Sequence, residues 1–204
     1  MVALDIFGKQ RRQREEDLGE RLPPGQRLTD GWPVLHYGSI PRFDPQAWRF
    51  HIVGEDFIEE PLVLTWEQFQ ALPRTDVLCD IHCVTHWSKF DNTFSGVAVT
   101  ELLKLVTFKR DPSFVMVHSY GGYTTNISYE ELTTPDVLLA DMHDGKPLTP
   151  DHGYPLRLVV PKLYFWKSAK WVRGFEFMDR NKPGFWETYG YHIHGDPWLE
   201  ERYS

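Results

Sequence analysis

Seven residues, Val77-Leu78-Cys79-Asp80-Ile81-His82-Cys83, can be written with either of two periods, and the two give different molecules. At period two, Val77, Cys79, Ile81 and Cys83 share one face of a strand, and Leu78, Asp80 and His82 share the other. At period 3.6, Cys79, His82, Cys83 and His86 line one face of a helix and make a Cys2His2 zinc site, the core of a small structural or interaction module. The β-branched residues Val77, Ile81, Val84 and Thr85 favour the strand. Pro73, shortly upstream, supplies the turn that delivers the chain into it. In a strand, Cys79 and Cys83 stand about 13 Å apart at ~3.3 Å per residue, too far for a disulfide or a shared zinc. A strand is therefore expected, with Cys79 a buried small residue. Cys83 then stands at the strand's end, where a chain leaves a rigid sheet and functional groups are often carried.

The chain has 204 residues, enough for a core without disulfides or metals to staple it. Hydrophobic residues make up 41% and charged ones 25%, an ordinary globular balance, while eight Trp point to a large aromatic core. A net charge of −7 gives no overall field for nucleic acid. No apolar run approaches the length of a membrane span. Arg11-Arg12 has the look of a twin-arginine export signal, but Glu15-Glu16-Asp17 follows where an apolar region belongs. With two cysteines that cannot pair locally, a cytoplasmic protein is expected.

Residues 1–30, polar and punctuated by Leu22-Pro23-Pro24-Gly25, read as an irregular N-terminal tail, and residues 31–204 as a single domain. Strands are expected at Trp48–Ile52, Leu62–Leu64, Val77–Cys83, Phe114–Ser119, Val137–Ala140, Tyr154–Val160 and Trp171–Met178. Thr65-Trp66-Glu67-Gln68 and Ser128-Tyr129-Glu130-Glu131 read as capping boxes that open short helices, and Thr100 as the cap of a helix over Glu101–Val106. Trp87–Ser95 reads as a loop, and Gly121-Gly122 as a bend that leaves Tyr123 exposed to a cleft or to solvent. Strands without regular helical alternation predict an α+β fold with mixed β-sheets and short helices.

Between His152 and Phe175 the cations Arg157, Lys162, Lys167, Lys170 and Arg173 occur with no Asp or Glu. In a net-acidic chain this local reversal of sign, with Ser168 and loop amides beside it, suits a phosphate. Cys83 itself admits three roles: an inert buried thiol, a nucleophile with His82 or His86 as base, or a thiolate ligand to a soft metal.

Several segments taken together resemble the molybdopterin-binding domain of the sulfite oxidase family, in its compact haem-free bacterial members. They are Cys83-Val84-Thr85-His86-Trp87-Ser88, the run from Asp144-Gly145-Lys146-Pro147 through His152-Gly153-Tyr154-Pro155-Leu156-Arg157 to Pro161, Lys167-Ser168-Ala169-Lys170-Trp171, and Gly195-Asp196-Pro197-Trp198. The resemblance implies a sulfite-oxidase-like molybdopterin-binding fold holding molybdenum and one pyranopterin dithiolene, with Cys83 as the protein's ligand to the metal. It implies that His152, Arg157, Ser168 and Lys170 hold the pterin or its phosphate, with Lys167 adjoining them. His36, Tyr37 and Gly38 match an N-terminal cofactor-contact segment, Ser119 a hydroxyl contact near the pterin, and Tyr123 the active-site tyrosine.

The implied reaction is two-electron oxygen-atom transfer on a small sulfur or nitrogen oxo compound. Sulfite oxidases place arginines just after the ligand cysteine, where this chain reads Thr85-His86-Trp87-Ser88-Lys89. That departure leaves room for a neutral sulfoxide or N-oxide as the substrate. The sequence shows neither the haem domain nor the C-terminal immunoglobulin-like domain of the larger enzymes, so a separate electron donor or acceptor protein is expected.

Overall fold

The computed structural model describes residues 18–204. Arg11-Arg12 and Glu15-Glu16-Asp17 lie outside them. Two sheets organise the chain. The first is built on a hairpin of β4 (Thr75–Cys83) and β5 (Trp87–Ala98). Along its other edge β5 pairs with β1 (Arg27–Leu28) and β8 (Leu138–His143). Outside β8 lie β9 (Lys146–Pro147) and β10 (Arg157–Val159). The second sheet runs β3 (Leu62–Thr65), β2 (Arg49–Val53), β11 (Val172–Met178), β6 (Phe114–Ser119), β7 (Thr124–Ser128). β1 on β5 and β11 on β2 are parallel and the other pairs antiparallel, which makes both sheets mixed, as expected for the α+β class.

Period-two alternation decides what each face of the first sheet meets. Val97, Leu139 and Leu158 join Phe50, Ile52, Val117 and Phe175 in the core between the sheets. Their neighbours Leu138, Ala140 and Val159 fall on the opposite face with Ile81, Cys83, Phe94, Tyr164 and Trp166. The strand reading of 77–83 holds: Val77, Cys79, Ile81 and Cys83 lie on that second face, while Leu78 is 68% exposed on the other. The pairing slips between Cys79 and Ile81, where Phe90 and Asp91 of β5 face the single residue Asp80, so the bulge is in β5, with Asp91 at a positive φ of 57°.

Helix α1 (Trp66–Gln70) has the expected capping box, with Thr65 Oγ1 accepting from Gln68 N–H and Gln68 Oε1 from Thr65 N–H. It buries Trp66 and Phe69, and a Phe hidden as fully as Phe69 contributes about 1.5–3 kcal/mol. In α3 (Tyr129–Leu132), the Ser128 hydroxyl accepts from Glu131 N–H as its spacing predicts. Thr100 does not cap α2 (Val99–Leu103); the chain enters that helix straight from β5 at Ala98. The Val99 N–H donates instead to the Val137 carbonyl, so a neighbouring segment satisfies a group that a side-chain cap usually serves.

Three further expectations are corrected. Trp87–Ser95 is not a loop but most of β5; its Ser, Lys, Asp and Asn residues are poor strand formers, and pairing on both edges overrides propensity. β10 begins only at Arg157, because Pro150–His152 is a helical turn and Tyr154-Pro155 is irregular. The tail expected to be irregular to residue 30 contributes β1, and Arg21 binds the Asp80 and Asp91 carboxylates of the hairpin.

Candidate active site

β4 delivers Cys83 to a tight turn, closed by His86 N–H donating to the Cys83 carbonyl and by a positive φ of 68° at His86. The Cys83 side chain is 7% exposed, its Sγ lies 3.2 Å from Thr85 Oγ1, and burial pushes the thiol up. The two histidines beside it go elsewhere. His82 Nδ1 is 2.8 Å from Ser88 Oγ on the opposite strand, and burial pushes the ring down to about 4. His86 Nδ1–H donates to the Gly25 carbonyl. A Cys-His nucleophile is therefore not assembled. Among the described residues no three His, Cys, Asp or Glu side chains gather to hold a metal, so the zinc reading on Cys79, His82, Cys83 and His86 fails with its helix.

Cys83 opens onto a cavity of about 350 Å³. Thr85 and Trp87 continue the wall that Cys83 begins. Across it come Arg157 at the start of β10 and the loop residues Ser168 and Lys170. Tyr123 follows β6, and Trp166, Trp186 and Tyr191 close the remaining side with aromatic rings. Over the top passes the segment Trp32–Tyr37, whose side chains Trp32, His36 and Tyr37 also face the space.

Arg157 is the strongest electrostatic feature. Its side chain is 1% exposed; Nη1 donates to the His152 carbonyl at 2.9 Å and Nη2 to the Ser168 carbonyl at 3.0 Å, while Nε has no partner. The guanidinium lies 4.2 Å from the Phe165 ring centre and 5.2 Å from that of Trp32. No carboxylate pairs with it among the described residues, and desolvation pushes it down to about 9. Lys170 donates to the Asp151 carbonyl and is pushed down to about 7, by burial first and by Arg157 second. A buried cation without a counter-ion is costly unless an anion is brought to it. His152, stacked on Trp32 at 3.9 Å, is pushed down to about 4 chiefly by burial and keeps a buried Nδ1 with no partner. These orphaned polar groups fit a phosphorylated cofactor, and the nearby thiol fits a soft metal.

The other residues singled out in the sequence are placed less directly. Gly38 lies beyond the cavity wall, its carbonyl 3.0 Å from His36 Nδ1. Ser119 ends β6 with a buried Oγ that has no partner and does not line the cavity. Ser168 lines it, and its Oγ accepts from Val160 N–H. Lys167 turns away: its side chain is fully buried behind the wall, 2.6 Å from Glu187 Oε1, and also donates to Asn126 and to the Ile193 carbonyl. Lys162 and Arg173 are exposed, so the five-cation span gives the cavity only Arg157 and Lys170. Tyr123 is half-buried and faces the cavity, as a residue open to a cleft should, and its hydroxyl donates to the Trp166 carbonyl at 2.7 Å. The aromatic wall of Trp166, Trp186 and Tyr191 escaped sequence reading; the Trp- and Tyr-rich tail was its only signal.

A family model described as the oxidoreductase molybdopterin binding domain matches residues 37–186. The chain is also 43% identical over 199 residues to the uncharacterized oxidoreductase YuiH of Bacillus subtilis (strain 168), covering 97% of this chain and 98% of that one. The chain belongs to the sulfite oxidase family of molybdopterin-binding oxidoreductases. Arabidopsis thaliana sulfite oxidase is 27% identical over 80% of this chain and 52% of its own length. The catalytic subunit MsrP of a protein-methionine-sulfoxide reductase from Campylobacter jejuni is 30% identical over 72% of this chain and 54% of its own length. The solved sulfane dehydrogenase SoxCD from Paracoccus pantotrophus superposes with a TM-score of 0.64 at 25% identity, over 71% of this chain and 41% of that one. Within this family the chain is a molybdenum-dependent oxidoreductase with Mo-molybdopterin as its cofactor. Among the described residues no helix is long and apolar enough to cross a membrane.

Proposed function

We propose that the sheets from β1 onward act as one cofactor-bearing domain that transfers an oxygen atom to or from a small neutral sulfoxide or N-oxide, in preference to sulfite. One observation carries this reading. The cations of the cavity, Arg157 and Lys170, line it together and would serve a pterin phosphate, and the wall running on from Cys83 is Thr85, Trp87 and aromatic rings. A guanidinium beside the ligand cysteine would favour an oxyanion; an aromatic wall favours a substrate without charge.

The molybdenum-pterin group supplies the two-electron oxygen-atom chemistry when bound. Cys83 would ligate the metal through its deprotonated sulfur. Arg157 Nε–H, the Lys170 ammonium and the Ser168 hydroxyl proton would hold the phosphate, and His152 Nδ1 and Ser119 Oγ, each buried without a partner, have bonds to offer the rest of the cofactor. His36 and Tyr37, with Gly38 behind them, would cover the cofactor from the overlying segment. Lys167 would support the wall rather than touch the cofactor. Tyr123 holds its proton at the Trp166 carbonyl, so donating to a substrate oxygen means exchanging that partner.

The electrons would pass to or from a separate redox protein. The two free cysteines support a cytoplasmic location. Steady-state turnover of the cofactor-loaded enzyme, with artificial electron carriers, tests the substrate. Reduction of dimethyl or methionine sulfoxide well above sulfite oxidation is expected, and efficient sulfite oxidation without sulfoxide turnover would overturn the assignment.

A further inference from the structure

Both ends of the described chain meet at the turn that carries Cys83. From the N-terminal side, Gln26 Nε2 donates to the Cys83 carbonyl at 3.0 Å, and Arg27 N–H donates to the His86 carbonyl. From the C-terminal side, Arg202 Nη1 donates to the Val84 carbonyl at 3.0 Å, and its Nη2 to the Pro24 carbonyl at 3.2 Å. The Arg202 side chain thus joins the two terminal segments across the peptide next to the ligand cysteine. It is itself held by packing and pairing: its guanidinium lies 5.0 Å from the Tyr164 ring centre, and its own carbonyl accepts from His192 N–H.

The charge is the informative part. Arg202 is 7% exposed, its bonds are to neutral carbonyls, and its carboxylate neighbour, Glu200, is 3.8 Å away and half exposed. Burying a guanidinium to hold two carbonyls is costly when a neutral amide could hold them without that desolvation. A cation held on the peptide next to a sulfur that must bind metal as an anion does more than clasp a turn. The Val84 carbonyl that takes Nη1 belongs to the residue next to Cys83, so the charge is fixed on the backbone of the ligand's own turn.

We propose that Arg202 is a positioning residue for the metal ligand, fixing the Cys83 turn through Val84 and setting the charge felt by the sulfur. The inference rests on the reading of Cys83 as the molybdenum ligand. Its consequence is that Arg202 draws electron density from the sulfur and so raises the reduction potential of the bound metal.

The test compares wild type, R202Q, R202K and R21Q, produced in cells that make the cofactor. Metal content, the thiolate-to-metal absorption band and the midpoint potential are read for each. R202Q is expected to keep its molybdenum while its band moves to longer wavelength and its midpoint falls. R202K retains the charge but cannot bridge both carbonyls, so a smaller shift of the band is expected. R21Q, which frees the N-terminal segment from Asp80 and Asp91 away from the turn, should coincide with wild type. R202Q matching wild type in band and potential at equal metal content overturns the proposal. Should R202Q fail to load, R202K decides: an altered band supports the role, and one identical to wild type overturns it. Wild-type protein without molybdenum sinks the functional reading and this proposal together, an outcome distinct from either.

Discussion

Replacing Arg157 with Met separates cofactor binding from folding. The drop of the guanidinium from an arginine's ordinary value to about 9 corresponds to about 5 kcal/mol of desolvation, which an apolar side chain of similar length would avoid. Against that, the His152 and Ser168 carbonyls lose their donors at ~1–3 kcal/mol each, and the contact with Phe165 is worth about 1–2 kcal/mol. These oppose one another to within about 3 kcal/mol, so cofactor-free R157M should unfold within about 12 °C of wild type, at ~2–4 °C per kcal/mol for a chain of this length. The cofactor has no such compensation. Nε–H is a free charge-assisted donor, worth about 1.5–3 kcal/mol to a phosphate, and its loss should weaken retention roughly 10- to 150-fold. Thermal unfolding of the cofactor-free forms, with molybdenum and pterin analysis of the loaded ones, measures both. Wild-type occupancy in R157M would refute the placing of the phosphate, and a variant that no longer folds would refute the energy balance.

Other perturbations have definite signs. Lys170 is pushed down to about 7, so it is charged below that pH; binding of inorganic pyrophosphate to cofactor-free protein, followed by calorimetry, should weaken as pH rises through about 7, and K170M should flatten that dependence. His194, between Glu131 and Glu201, is pushed up to about 9, first by its bond to Glu131. Its contribution is complete below an ordinary histidine's pKa and is lost as pH rises through about 9, so the Tm gap between wild type and H194N should close over that window; a gap constant with pH contradicts the pairing. E187Q strips the buried Lys167 of its counter-ion and should cost about 3–5 kcal/mol, or roughly 6–20 °C in Tm, whereas a loss under ~1 kcal/mol would show that the three carbonyl-type acceptors suffice.

What could be read without coordinates was local. β-branched residues fix the β4 strand and so put Cys83 at its end, and the Thr65 box and the Ser128 cap fix two helix starts, because each depends on neighbours within a few residues. Glu131 does not return the bond to Ser128 N–H. The family motifs gave Arg157, Ser168 and Lys170 a shared purpose, and all three line one cavity with Cys83. Long-range pairing was hidden. Nothing in Trp87–Ala98 says that it is paired on both edges, and nothing near Thr100 says that Val137 serves the first helical N–H. Lys167 looked like one more phosphate cation, because its partner Glu187 lies 20 residues on and outside the acid-free span. Arg202 drew no notice in a tail read for its aromatics, and only folding brings it to Val84.

The most direct measurement is the molybdenum and pterin content of wild-type protein and C83A, purified from cofactor-producing cells. A single thiolate ligand at the cavity predicts about one molybdenum and one pterin per wild-type chain, and a several-fold loss of metal from folded C83A. Wild-type protein without molybdenum, or C83A with an undiminished share of it, would contradict Cys83 as the residue on which the site is built.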